Sequence, residues 1–261
     1  MKSKLLLILA LLPAVAFADT NTFRQTRTLE LPAAGIAELS AQCGPGSLIV
    51  RGVEGIDTIR VKAEIESIGS DKDELQLLAE KLVQLSLKSE YNRAVLISDI
   101  VQQPFSGQEV RINLHIELPG KMDLKIVDGS GDIYVANIIG NLTIDDGSGD
   151  IQLEEITGRI VIRDDSGDIE IQEVTGSIEI NDGSGEIEIQ HASGDVIITD
   201  TSGGIEIDDI GGNITVTDGS GSIDIYGVKK NVFIREAGSG TLEVDGVQGK
   251  VTIREEGEER E

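Results

Sequence analysis

The chain has 261 residues, with 47 acidic against 22 basic side chains, a formal net charge of −25, no Trp and a single Cys. A surface this acidic repels phosphate backbones and anionic lipid, which argues against nucleic acid or a membrane surface as partner. One thiol permits no intrachain disulfide, and an aromatic content of 3% leaves few platforms on which a sugar could stack.

Lys2 and Lys4 precede an apolar run from Leu5 to Val15 and then Ala16-Phe17-Ala18. That order is a basic n-region, a hydrophobic stretch too short to span a bilayer, and a small-x-small cleavage site. Residues 1–18 therefore read as a signal peptide cut after Ala18, which predicts a periplasmic or secreted protein with no membrane insertion after cleavage. Residues 19–127 read as an N-terminal capping region. Within it, Asn21 to Leu31 and Ala37 to Cys43 alternate weakly, as strands do, and Cys43 is expected to be a small buried hydrophobe. Gly44-Pro45-Gly46-Ser47 makes a polar corner, and Leu48-Ile49-Val50 with Ile59-Arg60-Val61 suggests a worn, lengthened coil of the kind repeated later.

Ser70, Asp73 and Glu74 ahead of Leu75, Leu78, Ala79 and Leu82 predict a capped amphipathic helix of roughly three turns, covering one side of the first coil or its open end. Val83 to Lys88 and Ala94 to Val101 flank Glu90-Tyr91-Asn92-Arg93 as a hairpin. Residues 102–108, with Pro104 and Gly107, form a loop. Val110, Ile112, Leu114, Ile116 and Leu118 alternate strictly up to Pro119-Gly120.

From Asp128 to Glu256 one phrase returns seven times, beginning DGSGDIYVANIIGNLTID. The glycines closing its Ser-Gly pairs fall at Gly131, Gly149, Gly167, Gly185, Gly203 and Gly221, then at Gly240 after one extra residue. A fixed period means one structural unit per copy, stacked in a line. Each copy holds aliphatics in pairs spaced by two, such as Ile169 with Ile171 and Ile178 with Ile180. Each pair marks a short strand with one buried face. One coil is thus two strands back to back, and each strand pairs in parallel with its equivalent about 4.8 Å away in the next copy. Residues six and twelve after Ile133 are Ile139 and Asp145, so the three-sided hexapeptide helix does not fit. The predicted fold is an all-β parallel solenoid of seven 18-residue, two-strand coils, ending in a charged tail at residues 257–261 that shields the last coil from edge-on pairing.

Stacking places residues 18 apart side by side. Asp128, Asp146, Asp164, Asp182, Asp200 and Asp218 form one column; Asp132, Asp150, Asp168 and Glu186 a second; Glu170, Glu188, Glu206 and Asp224 a third, outer one. Like charges about 5 Å apart cost on the order of 1 kcal/mol per pair even in water. Two offsets are open. Carboxylates and corner carbonyls suit Ca²⁺, for which Asp128, Asp132, Asp146 and Asp150 are the best cluster; alternatively the corner Asp residues make Asx-turn bonds and the outer acids are solvated. No other cofactor is implied. The outer face of the second strand differs, with Thr143, Val161, Glu179, Ile197, Thr215, Phe233 and Thr252. There Val161, Ile197 and Phe233 are candidate partner-binding residues. No catalytic residue is assigned, because His115 and His191 lie near no nucleophile pattern and the Ser-Gly corners lack the strand-turn-helix setting of a nucleophile elbow.

The worn first coil, the helix, the alternating strand closed by Leu118-Pro119 and the Ser-Gly-Asp-Ile phrases resemble a bacterial adhesin-type family of β-strand-repeat proteins, a domain of unknown function like the heads of autotransporter adhesins. The resemblance implies a β-solenoid at the cell envelope and carries no catalytic residues with it. The function expected is a non-enzymatic scaffold or adhesion-like binding protein whose partner is an envelope protein or surface ligand. A Ca²⁺-stabilised structural solenoid and a glycan-active β-helical enzyme are the alternatives.

Overall fold

The computed structural model describes residues 10–11, 22–69, 72–102 and 108–254. The signal-peptide cleavage site, Ser70, most of the loop at 102–108 and the acidic tail lie outside them. The chain divides into two compact units, Met1–Gly131 and Asp132–Glu261.

In the first unit, three strands of 11 residues, Thr22–Pro32, Thr58–Ile68 and Glu109–Pro119, form an antiparallel ribbon with Thr58–Ile68 in the middle. Leu48–Val53 adds to Glu109–Pro119 in parallel. The middle strand buries Ile59, Val61, Ala63 and Ile65 on one side and sends Arg60 and Lys62 outward. This corrects the expectation that Ile59-Arg60-Val61 joins Leu48-Ile49-Val50 in a worn, lengthened coil of the repeat type. Eleven alternating residues are too long for half of an 18-residue coil, and their backbone groups find equal-length antiparallel partners instead.

The unit's other sheet sets Glu38–Cys43 between Asp123–Asp128 and Arg93–Ile100, parallel to both. Val83–Glu90 closes the predicted hairpin through Tyr91, whose φ is +58°. The predicted helix spans Lys72–Lys81 and packs on Thr22–Pro32 and Thr58–Ile68. Leu75, Leu78 and Ala79 supply its buried face, and Arg27 Nη2 donates 2.7 Å to the Ala79 carbonyl near the helix end, where backbone acceptors lack helical donors. Gly46, at φ +137°, and Gly131 stack so closely that a Cβ on Gly131 would lie 2.1 Å from the Gly46 carbonyl oxygen. The polar corner read at residues 44–47 is thus a true corner of the repeat type.

The second unit is the regular solenoid. Its first sheet runs Ile133–Ile139, Ile151–Thr157, Ile169–Thr175, Ile187–Ala192, Ile205–Ile210, Ile223–Val228 and Leu242–Asp245 in that order. Its second sheet runs Leu142–Asp146, Ile160–Asp164, Ile178–Asp182, Val196–Asp200, Ile214–Asp218, Val232–Ala237 and Val251–Ile253. Every ladder in this unit is parallel, in register at 18 residues up to the sixth strand of the first sheet and the fifth of the second, and at 19 in the last pair of each sheet. The extra residue of the last copy is taken up at a register shift after Val216, so that Arg235 is skipped and Thr217 faces Glu236.

Each coil of the interior buries five aliphatics, as Ile169, Ile171, Val174, Ile178 and Ile180 do, all at most 2% exposed. Between Ile171 and Val174 the alternation skips a residue, and the skipped position is a column in the left-handed region: Asn137, Glu155, Glu173, His191 and Asp209 at φ +51° to +61°, then Gly227 and Gly246. This one-residue bulge turns the strand end so that a third aliphatic points inward.

Candidate functional site

The sequence-predicted columns exist in the second unit, and their side chains divide by burial. Asp146, Asp164, Asp182, Asp200 and Asp218 sit on neighbouring strands of one ladder, each at most 4% exposed. The corner glycines fold the chain back so that Asp164, Asp200 and Asp218 accept from their own turns: Ser166 N–H to Asp164 Oδ1 at 3.3 Å, Ser202 N–H to Asp200 Oδ1 at 3.1 Å, Ser220 N–H to Asp218 Oδ1 at 2.9 Å. Asp146 accepts from Gly147 N–H at 2.8 Å. The other oxygen, Oδ2, is buried and accepts no hydrogen bond in all five. Burial first, and nearby carboxylates second, push Asp146, Asp164, Asp182 and Asp200 up to about 6, the neighbours in the column contributing at Asp164, Asp182 and Asp200, and burial raises Asp218 as well. These are the Asx turns anticipated from the Asp-Gly-Ser-Gly phrase, set in a nearly dry column.

The second column lies at the solvent edge of the corner. Asp132 Oδ1 accepts the Asp150 N–H at 3.3 Å, Asp150 Oδ1 the Asp168 N–H at 3.1 Å, and Asp168 Oδ1 the Glu186 N–H at 2.9 Å. Each carboxylate is bonded to the backbone of the next coil, which offsets the repulsion along the column. The four residues put forward for Ca²⁺ therefore separate: Asp128 is buried in the first unit, Asp146 is buried in the second, and Asp132 and Asp150 are exposed corner groups. Among the described residues, no group of three or more His, Cys, Asp or Glu side chains is disposed to hold a metal ion.

An equivalent column on the opposite corner escaped the sequence reading. Asn213 N–H and Nδ2 both donate to Asp195 Oδ1, at 2.7 and 3.0 Å, and Asn231 repeats the pattern on Asn213 Oδ1 at 3.3 and 3.0 Å. Asn141 Oδ1 accepts from Arg159 N–H and Asn231 Oδ1 from Lys250 N–H. The 18-residue spacing of Asp195, Asn213 and Asn231, with Asn141 three periods earlier and Lys250 one residue late, was the available signal.

The two outer faces of the second unit are chemically opposite. On the first sheet, Tyr134, Gln152, Glu170, Glu188, Glu206, Asp224 and Glu243 form one row. Five of these seven are carboxylates and none is basic. Gln152 and Gln172 amides donate to Glu170 at 3.2 and 2.6 Å, and the Gln190 amide to Glu188 at 2.5 Å, which relieves part of the crowding. On the second sheet, the row is Thr143, Val161, Glu179, Ile197, Thr215, Phe233 and Thr252. Its only charge, Glu179, is matched by Arg159 Nη2 at 2.5 Å. Val161 and Phe233 are half-buried, Ile197 is 47% exposed, and the Arg235 guanidinium lies 5.8 Å from the Phe233 ring centre. The three apolar candidates thus stand on one face, on alternate strands of one sheet.

His115 points outward from Glu109–Pro119, and His191 occupies the left-handed bulge of Ile187–Ala192 rather than a turn. Cys43 is buried beside Asp128, and burial first and that carboxylate second push its thiol well above the ordinary range, which leaves it unreactive.

The family described as Toastrack DUF4097 matches residues 52–246. No curated protein is detectably similar to the chain. Among solved structures, a candidate lipid binding protein from Parabacteroides distasonis ATCC 8503 is 13% identical at a TM-score of 0.44, with 90% of this chain and 95% of that one covered. A candidate adhesin from Bacteroides fragilis NCTC 9343 is 14% identical at 0.40, over 88% and 97%. A candidate cell adhesion protein from Clostridium sporogenes ATCC 15579 is 13% identical at 0.34, over 88% and 100%.

Proposed function

The chain belongs to the Toastrack DUF4097 family, a domain of unknown function, and from that membership we propose that it is an exported, non-enzymatic binding scaffold of the bacterial cell envelope. It meets its partner through the near-neutral outer face of the second sheet. The observation that carries this reading is the split between the two faces. A carboxylate row with no basic side chain keeps its water and repels most macromolecules, whereas a Thr-rich row with Val161, Ile197 and Phe233 loses little on desolvation.

The basic, apolar and small-x-small order of residues 1–18 supports export. No helix among the described residues is long and apolar enough to cross a membrane. The test compares two variants of the full-length protein in the producing cell. Ile197→Glu with Phe233→Ser is expected to release the protein from the envelope fraction, and Glu188→Gln with Glu206→Gln is expected to leave it bound. Equal retention of both variants would contradict the reading.

A further inference from the structure

The last coil of the second unit ends both sheets, with Leu242–Asp245 and Val251–Ile253 as the outermost strands. Its inward-facing side chains are those that earlier coils bury completely. Ile223, Ile225, Val232 and Ile234 are all at 0% exposure, whereas Val251 and Ile253, their counterparts one coil on, are 38% and 48% exposed, and Leu242 and Val244 are half-buried. Among the described residues no strand pairs with the outer edge of either, so two strand edges flank an open aliphatic core, which is the form of surface that adds further strands.

We infer that this end docks on the same end of a second copy of the chain, each edge strand pairing antiparallel with the other copy's opposite sheet. Charge selects this arrangement. The outward side chains of the first-sheet edge are Glu243 and Asp245, and Val251–Ile253 is bracketed by Lys250 and Arg254; all four are exposed. A two-fold axis along the strands, midway between the sheets, brings the acidic edge of one copy against the basic edge of the other, twice. A two-fold axis normal to the sheets would instead set Glu243 and Asp245 against themselves. One antiparallel register satisfies both faces at once: Val251 opposite Val244 and Ile253 opposite Leu242 inside, Lys250 opposite Asp245 outside, with Arg254 diagonal to Glu243. An identical patch on both partners is what a closed two-fold interface requires. The strands are short, so the dimer is weak and reversible.

This association is independent of the outer-face reading above, and it runs against the expectation that residues 257–261 shield the last coil. Sedimentation of the full mature chain over a concentration series decides it. A monomer–dimer equilibrium that loosens with salt is expected. Val251→Glu should abolish it, and Lys250→Glu or Asp245→Lys alone should weaken it roughly tenfold, since each pair occurs twice. The double variant Lys250→Glu/Asp245→Lys should restore it, which separates a docking defect from a damaged last coil. A chain monomeric at every concentration, or a dimer indifferent to these charge reversals, would overturn the inference.

Discussion

The five buried aspartates carry the largest electrostatic cost in the solenoid, and their cost depends on pH. With the Oδ2 of every one of them buried and accepting no hydrogen bond, neighbouring carboxylates about 4.8 Å apart resist full ionisation. The folded-state values of Asp146, Asp164, Asp182 and Asp200, about 6, lie above the unfolded value of about 3.9, and burial raises Asp218 as well. The folded state therefore binds more protons in this window, so the contribution is full below about 3.9 and is lost as pH rises through about 6. The melting temperature should accordingly climb from pH 7.5 to pH 5. Asp164→Asn with Asp200→Asn keeps the turn acceptor and removes the charge. That variant should flatten the climb and gain on the order of 1 kcal/mol per replaced carboxylate at pH 7.5. A wild-type melting curve indifferent to pH across this window would refute the shared-proton column. The Asx role of these residues was legible from Asp-Gly-Ser-Gly; their burial was not, since Asp at a polar corner ordinarily faces water.

Two glycine-related columns give opposite expectations at the same scale. A Cβ on Gly185 would stand 1.8 Å from the Gly167 carbonyl oxygen, with φ at +152°. Gly185→Ala should destabilise the protein by about 3 kcal/mol or more in urea unfolding, since backbone of the adjacent coil cannot yield. Glu173, at φ +55°, pays the penalty of a left-handed L-residue where Gly227 and Gly246 do not. Glu173→Gly is expected to stabilise by about 1 kcal/mol, a sign opposite to the usual loss for glycine within a strand.

At the scale of the element, a coil is defined by two corners and a bulge. The corners were legible because glycines recur nine apart. The bulge was visible only as an interrupted alternation, Val135 to Ile138 and Ile171 to Val174, which by itself reads equally well as a strand followed by a turn. The corner ladders add side-chain bonds from coil to coil. Asn213 both donates to Asp195 and accepts twice from Asn231. Asn213→Ala should cost roughly 1–2 kcal/mol by thermal unfolding, and an unchanged melting temperature would show the ladder to be incidental. Two of the long strands of the first unit were placed in sequence, whereas Ile59-Arg60-Val61 marked only the start of Thr58–Ile68 and was misassigned in pairing. Alternation in Thr58–Ile68 reveals which residues are buried, not whether its partners run parallel or antiparallel.

At the scale of the molecule, the architecture of the second unit follows from one number, the 18-residue period, because in-register stacking converts sequence spacing into spatial adjacency. The same conversion made the rows on both outer faces readable, including Val161, Ile197 and Phe233. What binds there is not written in a period, since a ladder selected for stacking constrains the partner's chemistry only through the side chains it leaves outside. The most direct measurement is a photo-crosslinker placed singly at Val161, Ile197 and Thr215 on one face and at Glu188, Glu206 and Asp224 on the other, activated in the producing cell. The account predicts adducts of the same mass from the first three positions and none from the last three. Adducts from the acidic row, or from both rows alike, would contradict it.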